Sequence, residues 1–252
     1  MRIGAIIIGD EILSGKRQDK HMARVISTLA ARGLELSWVR YLGDEPDLIT
    51  AALRTTLVGD DIVFSFGGIG ATPDDHTRQC AAVAAGVSLQ LHPEAEAEIR
   101  ARFDGDPKGV TPQRLMMGEF PAGATIIPNP YNRIPGFSVG RHHFLPGFPE
   151  MSWPMMEWVL DTLYPDLTPR DVREEAIIVR EAGESQLIEL MNACLQQFPG
   201  MKVFSLPRVT PERYIELGVR GDAAQVPQAI AMLQAGVSGL GFPWTPLSRA
   251  VA

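Results

Sequence analysis

The first 86 residues alternate between short apolar runs and amphipathic segments, and this alternation constrains the fold more than any other feature. Three apolar runs have the length of buried strands: 3–8, 34–42 and 62–66. A segment with the apolar spacing of a helix follows each run: 21–32, 47–57 and 78–85. The β-α-β-α-β-α order predicts an α/β fold, with a doubly wound, mostly parallel sheet between two layers of helices.

The pattern changes in the last third of the chain. Three apolar or alternating runs predict strands there and two amphipathic segments predict helices, in the order 174–180 (strand), 185–197 (helix), 203–206 and 213–219 (strands), and 222–235 (helix). This β-α-β-β-α order is typical of a small α+β unit. We therefore predict two domains, 1–168 and 169–252.

Charge and cysteine content exclude several classes of protein. The net charge is −7 and the sequence pI is about 5.3, so the chain lacks the basic character of proteins that bind nucleic acid or anionic membranes. The two cysteines, Cys80 and Cys194, lie far apart and give neither a disulfide framework nor zinc-ligand spacing. No apolar run approaches the roughly 20 residues of a membrane span. We expect a cytoplasmic protein.

The third apolar run leads into a glycine-rich stretch. Gly67, Gly68 and Gly70 follow Phe66, and Thr72 and Thr77 precede the next helix. A strand, a glycine turn and a helix start present backbone N–H groups to a phosphate in many α/β proteins. The stretch lacks the Gly-Lys-Ser/Thr of a Walker loop and the full spacing of a dinucleotide fingerprint.

Acidic residues follow all three strands. Asp10 and Asp19 lie in the first loop, Asp44 in the second, and Asp74 and Asp75 in the glycine-rich stretch. Because the carboxyl ends of parallel strands meet at one edge of a sheet, these loops are predicted to converge. The carboxylates would hold a divalent metal or accept hydrogen bonds from a ribose or pterin ring. Helix capping is the alternative for each of them.

Other polar residues give weaker indications. Lys16, Arg17 and Arg133 lie in loops from which a cation can reach a phosphate, or they are simply solvated. His76 lies in the glycine-rich stretch and is a candidate acid or base. The other histidines have no metal-ligand spacing and are interpreted as structural or surface residues.

Six segments, in order, carry a resemblance to a known family: 6–19, 42–45, 67–77, 129–130, 135–137 and 145–151. Together they resemble the MoaB/Mog-type molybdopterin-binding domain, in the version found in the competence/damage-inducible protein A (CinA) family. The segment after residue 169 is similar to the small second domain of CinA. The resemblance does not extend to the carboxy-terminal amidase domain, so deamidase activity is not implied.

The resemblance implies roles for particular residues. Asp44 and Asp75 match the acidic, catalytic positions of a Mog-type site, and Asp74 would join them in holding a divalent metal, Mg²⁺ or Co²⁺. The positions implied to bind the ligand are Gly67, Gly68, Gly70, Thr72, Thr77, Asp10 and Ser14. The chain departs from the family pattern at Lys20-His21, Ala71 and Asn132.

The resemblance leaves the activity open. One implied function is a metal-dependent pyrophosphatase acting on ADP-ribose or a similar nucleotide. The alternative is binding or adenylylation of molybdopterin, and a third is a scaffold without catalysis. The expected partner is a small nucleotide or pterin, and homo-oligomers are expected from the family.

Overall fold

The computed structural model describes residues 2–106, 108–168, 171–209 and 211–247. The chain divides into two compact units, 1–168 and 169–252. Among the described residues, no helix has the length and apolar character needed to cross a membrane.

The first unit contains eight described strands and seven described helices. The strands are β1 (Ile3–Ile8), β2 (Leu36–Leu42), β3 (Ile62–Phe66), β4 (Leu89–Leu91), β5 (Glu119–Pro121), β6 (Thr125–Ile127), β7 (Gly136–Val139) and β8 (His142–Leu145). The helices are α1 (Asp10–Leu13), α2 (His21–Ala30), α3 (Pro46–Leu57), α4 (Thr77–Ala85), α5 (Pro93–Arg102), α6 (Pro112–Met116) and α7 (Pro149–Leu163).

Six of these strands form one sheet in the order β2-β1-β3-β8-β7-β6. The first four are parallel, while β7 and β6 pair antiparallel. This confirms the predicted mostly parallel sheet. The carboxyl ends of β1, β2, β3 and β8 therefore lie at one edge, where open α/β sheets bind their ligands.

Helices cover both faces of the sheet, as a strand buried on all sides requires. All six residues of β1 are buried. Ile7 packs in a core with α2 and α7, and Ile6 packs in a second core with α3 and α4. The alternation of side chains along β1 thus supplies both cores and gives the three layers of the prediction.

Two features of this unit differ from the sequence prediction. The run 129–137 is rich in Pro, Gly and Asn, which predicts an irregular loop, but Gly136 and Phe137 begin β7. A side chain at Gly136 would overlap the Phe144 carbonyl of β8, so the glycine permits the close pairing of these strands. The β4–β5 pair was missed because strands of three residues show no usable periodicity.

Two adjacent histidines on β8 are buried in the core, which confirms their structural interpretation. Both ring nitrogens of each are hydrogen-bonded, His142 to the hydroxyls of Ser65 (2.7 Å) and Thr56 (3.2 Å), and His143 to those of Ser138 and Tyr164 (both 2.8 Å). Burial lowers the pKa of both His142 and His143 to about 3, so both rings are neutral at physiological pH.

The second unit is an antiparallel sheet with helices. Its elements are β9 (Val172–Val179), a 3₁₀ turn (Glu184–Gln186), α8 (Ile188–Gln197), β10 (Lys202–Arg208), β11 (Tyr214–Asp222), α9 (Val226–Gly239) and β12 (Trp244–Pro246). The strand order is β10-β11-β9-β12. Ile177, Leu217 and Leu233 belong to its own hydrophobic core. The predicted elements are present, and β12 is an additional edge strand.

Candidate functional site

A small pocket lies at the carboxyl edge of the parallel sheet. Residues from the loops after β1, β2, β3 and β8 line it, namely Ile8, Gly9, Glu11, Arg17, Asp44, Gly67, Gly68, Asp74, Asp75, Gly147 and Phe148. Its volume is about 130 Å³, below the roughly 300–1,000 Å³ of sites that enclose a whole drug-sized ligand. The pocket therefore encloses part of a ligand and leaves the rest at the open edge.

Glycine is required at two positions of the turn after β3. Gly67 and Gly68 have φ values of +105° and +69°, in the region that favours glycine. A side chain at Gly67 would overlap the Ile8 carbonyl, and one at Gly68 would overlap the Thr77 hydroxyl. Thr77 holds the turn, since its hydroxyl donates to Gly67 O (3.0 Å) and its N–H to Gly68 O (2.9 Å).

The same turn carries backbone donors that the protein does not use. Gly67 N–H donates to Leu145 O (3.0 Å) and so continues the sheet. Within the residues that the structure describes, the N–H groups of Gly68, Ile69 and Gly70 have no protein acceptor. Consecutive unpaired N–H groups in a glycine turn form a concavity that accepts anions.

The loops after β1 and β2 are joined by a reciprocal pair of hydrogen bonds. Asp10 N–H donates to Asp44 Oδ2 (2.9 Å), and Asp44 N–H donates to Asp10 Oδ1 (3.2 Å). The Asp44 carboxylate thus caps the short helix α1 from a different loop. Asp44 lines the pocket, whereas Asp10 is not among the lining residues.

The electrostatic surroundings of Asp44 are acidic. Burial raises the pKa of its carboxyl, and the hydrogen bond from Asp10 N–H opposes this rise. The negative charges of Asp10, Glu11 and Asp74 add to the rise. This concentration of charge favours a cation or a ligand with N–H and O–H donors near Asp44.

Asp75 stabilises its own loop by accepting hydrogen bonds within it. Its Oδ2 accepts the N–H of Thr72 (2.8 Å) and also the Thr72 hydroxyl. The same hydroxyl lowers the pKa of the exposed Asp74 carboxyl. Both aspartates line the pocket. Thr72 itself is exposed and is not among the lining residues, so its observed role is to hold the loop.

Other predicted residues lie beside the pocket but do not line it. Thr77 is fully buried and Gly70 accepts a hydrogen bond through its carbonyl. Ser14 is exposed at the end of α1. Asp19 caps α2 by accepting the N–H groups of His21 (2.7 Å) and Met22 (3.2 Å), so the capping alternative holds for Asp19.

A buried arginine, Arg78 on α4, supports the glycine turn and was missed by the sequence analysis. Its guanidinium donates to the carbonyls of Gly70 (2.7 Å), Glu119 (3.4 Å) and Met116. Burial lowers its pKa, and the charges of Glu119 and Asp75 oppose this shift. Arg78 thereby fixes the turn to the segment before β5.

Three further side chains line the pocket, and two of them, Glu11 and Phe148, come from outside the predicted set. Glu11 and Arg17 reach it from the first loop, and Phe148 reaches it from the residue before α7. Arg17 is the cation among the lining residues, as the loop position suggested. Glu11 adjoins Asp10 in the same acidic pair, which was the available sequence signal. Phe148 carried no such signal.

The carboxylates do not form a ready metal site. Across the described ranges 2–106, 108–168, 171–209 and 211–247, no group of three or more His, Cys, Asp or Glu side chains is placed to hold a metal ion. Asp44 and Asp75 already accept hydrogen bonds from backbone N–H groups. The assignment of a divalent metal to Asp44, Asp74 and Asp75 therefore stays a prediction.

The fold and the pocket define an α/β protein with a glycine-rich, acidic ligand site at the carboxyl edge of its sheet. Residues 4–165 match the family described as "Probable molybdopterin binding domain". The match covers more than half of the chain, and the chain belongs to this family.

Individual relatives agree with this assignment. A protein of Caldivirga maquilingensis is 32% identical over 207 residues, which cover 80% of this chain and 79% of the relative. A CinA-like protein of Anaeromyxobacter dehalogenans is 34% identical over 165 residues, 64% of this chain. That alignment spans 40% of the relative's own length.

A solved structure also matches the first unit. The CinA protein from Thermoplasma acidophilum, described as having unknown function, superposes with a TM-score of 0.57 and 30% sequence identity. The match covers 64% of this chain and 98% of the other. The predicted MoaB/Mog-like fold and the similarity to CinA-type domains are confirmed.

Proposed function

We propose that this chain binds a phosphate-bearing pterin of the molybdopterin type at the carboxyl edge of its sheet. One observation carries the proposal: in the part of the chain that the structure describes, the run of N–H groups without a protein acceptor begins at Gly68, which lines the same pocket as Glu11 and Asp74. A phosphorylated pterin has a phosphate for the N–H groups and ring N–H donors for the carboxylates. Membership of a molybdopterin-binding family supports this choice of ligand.

The pocket residues divide into supports and ligand contacts. Asp44 and Asp75 hold loops through backbone hydrogen bonds, whereas Glu11 and Asp74 present carboxylates at the pocket surface. Arg17 supplies positive charge near the turn, which offsets repulsion between the acids and the phosphate. In this arrangement the glycine turn receives the phosphate and the acids select a ring rich in N–H groups.

Hydrolysis of ADP-ribose with the help of a divalent metal stays a prediction from the resemblance. The resemblance assigns the metal to Asp44, Asp74 and Asp75, which do not form a group of three metal ligands in the part of the chain that the structure describes. Release of AMP from ADP-ribose in the presence of Mg²⁺ or Co²⁺, absent in an Asp75→Ala variant, would revive this activity.

Equilibrium binding of molybdopterin under anaerobic conditions tests the proposed function. We expect the double variant Glu11→Gln/Asp74→Asn to bind about tenfold more weakly, because each amide keeps an acceptor oxygen but lacks the negative charge that strengthens a hydrogen bond. Glu94→Gln on α5, an exposed acid outside the pocket, is the matched control and should bind like the wild type. Wild-type protein without measurable affinity for molybdopterin would refute the proposal.

A further inference from the structure

An exposed aromatic side chain stands at the mouth of the pocket. Phe148 precedes α7, lines the pocket and is 53% exposed. A single exposed aromatic side chain is ordinary on a protein surface, but one that also lines a pocket offers its ring face to whatever ligand the pocket binds. Phe148 is the aromatic residue among the pocket's lining residues.

The backbone on both sides of Phe148 is held in place. The carbonyl of Gly147 lies 3.0 Å from Nε2 of His21, a residue where this chain departs from the family pattern. The carbonyl of Phe148 accepts the N–H groups of Met151 (3.0 Å) and Ser152 (2.9 Å) and the Ser152 hydroxyl (3.0 Å). The ring is therefore presented from a preorganised loop, which reduces the entropy lost on binding.

The same loop lies directly against the glycine turn. A Cβ built at Gly147 would lie 3.4 Å from the Cα of Gly67, so the two backbones pass close to each other. Phe148 is the next residue along the chain from this close approach. A ligand whose phosphate occupies the turn extends beyond this small pocket, and Phe148 forms part of the pocket wall.

We infer that Phe148 is the stacking platform for the flat heterocyclic ring of the bound ligand. The inference rests on the proposed function and assigns each part of the ligand to a part of the site. The phosphate enters the glycine turn, ring N–H groups meet the carboxylates, and one face of the ring lies on Phe148. Stacking depends on the π-face alone, so Phe148 supplies affinity for ring-bearing ligands and the polar residues supply selectivity.

Three variants of the full chain test this role with molybdopterin as the ring-bearing probe. Phe148→Ala should bind about tenfold more weakly, since alanine replacement of a stacking side chain weakens binding by roughly 5- to 150-fold. Phe148→Leu keeps an apolar side chain without a π-face and should lose nearly as much. Phe148→Tyr should stay within about twofold of the wild type. Because Phe148 is half exposed, all three should melt within a few degrees of the wild type.

Inorganic pyrophosphate, which has no ring, provides the second readout. Its competition against molybdopterin should give the same inhibition constant for the wild type and Phe148→Ala. If wild-type protein binds molybdopterin and Phe148→Ala binds it equally well, stacking is wrong and the proposed function stands. If wild-type protein does not bind molybdopterin, both fail. An equal loss for both probes would show that Phe148 only supports the loop.

Discussion

The molecule contains two clusters of polar side chains that differ in how completely they are paired. In the core, His142 and His143 have a hydrogen-bond partner on every ring nitrogen. At the carboxyl edge of the sheet, the glycine turn leaves N–H groups unpaired, and Glu11 and Asp74 line an open pocket. Both clusters contain residues that are often catalytic in other proteins.

The comparison shows two properties that distinguish the clusters. The polar groups of the structural cluster are buried and fully paired, whereas some polar groups of the ligand site are exposed and unpaired. Buried polar groups must be satisfied inside the protein because water does not reach them. Groups at a pocket surface can be left for a ligand. Residue type alone does not separate the two cases, since hydrogen bonds between histidine and serine also occur in catalytic sites.

The largest expected effect is the pH dependence of stability, which tests the buried histidine cluster. The pKa of each histidine is about 3 in the folded chain and about 6.5 when unfolded. Between these pH values the unfolded state binds more protons than the folded state. The contribution of the two histidines to the free energy of unfolding is therefore fully present above pH 6.5 and is lost as the pH falls toward 3. The free energy of unfolding should fall by about 2.7 kcal/mol per pH unit from the two groups.

Chemical denaturation at several pH values between 4 and 7 measures this slope. His142→Gln should roughly halve it. Phe144→Leu, which removes a ring stacked on His142, should lower stability at every pH and keep the slope. A His142→Gln variant with the full wild-type slope would show that the pair is not responsible.

The next largest expected effect is the loss of stability on substitution in the glycine turn, which tests the ligand site at the sheet edge. Gly68→Ala should lower the free energy of unfolding by about 3 kcal/mol, since it adds a positive-φ penalty and an overlap with the Thr77 hydroxyl. Gly140→Ala is the control. Gly140 also has a positive φ, +57°, but open space around it, so about 1 kcal/mol is expected. Urea denaturation measures both losses. Equal losses of unfolding free energy for Gly68→Ala and Gly140→Ala would show that the overlap with the Thr77 hydroxyl costs nothing.

The smallest expected effect is the difference in stability between alanine variants of the two neighbouring aspartates, Asp74 and Asp75. Asp75→Ala removes the acceptor for two donors of Thr72 and should destabilise the chain by about 1–2 kcal/mol. Asp74→Ala should leave stability close to that of the wild type, because Asp74 is exposed. Thermal melts of the two variants compare them directly. A larger loss for Asp74→Ala would reverse the division into support and ligand contact.

The sequence predicted the parallel sheet and the position of the pocket well, because both follow from local patterns. The burial of β1 and the glycines after β3 are visible in a single stretch of chain. The roles of individual acids were less predictable. Asp19, Asp44 and Asp75 look alike in sequence, yet each binds different N–H groups once the loops are in place.

Residues that act through distant contacts were hidden from the sequence. Phe148 reaches the pocket only because β8 lies beside β3, and Arg78 supports the turn only because β5 lies near α4. No periodicity or motif spacing reports such long-range neighbours. The short β4–β5 pair escaped for a related reason, since its three-residue strands depend on pairing across about 30 residues of chain.

The paired hydrogen bonds between Asp10 and Asp44 have a consequence for how the site assembles. Each aspartate supplies both a donor and an acceptor to the other, and the two lie 34 residues apart. Each loop alone leaves its donor and acceptor to water, so the two loops hold each other in their native geometry. A substitution at either aspartate therefore loosens both loops.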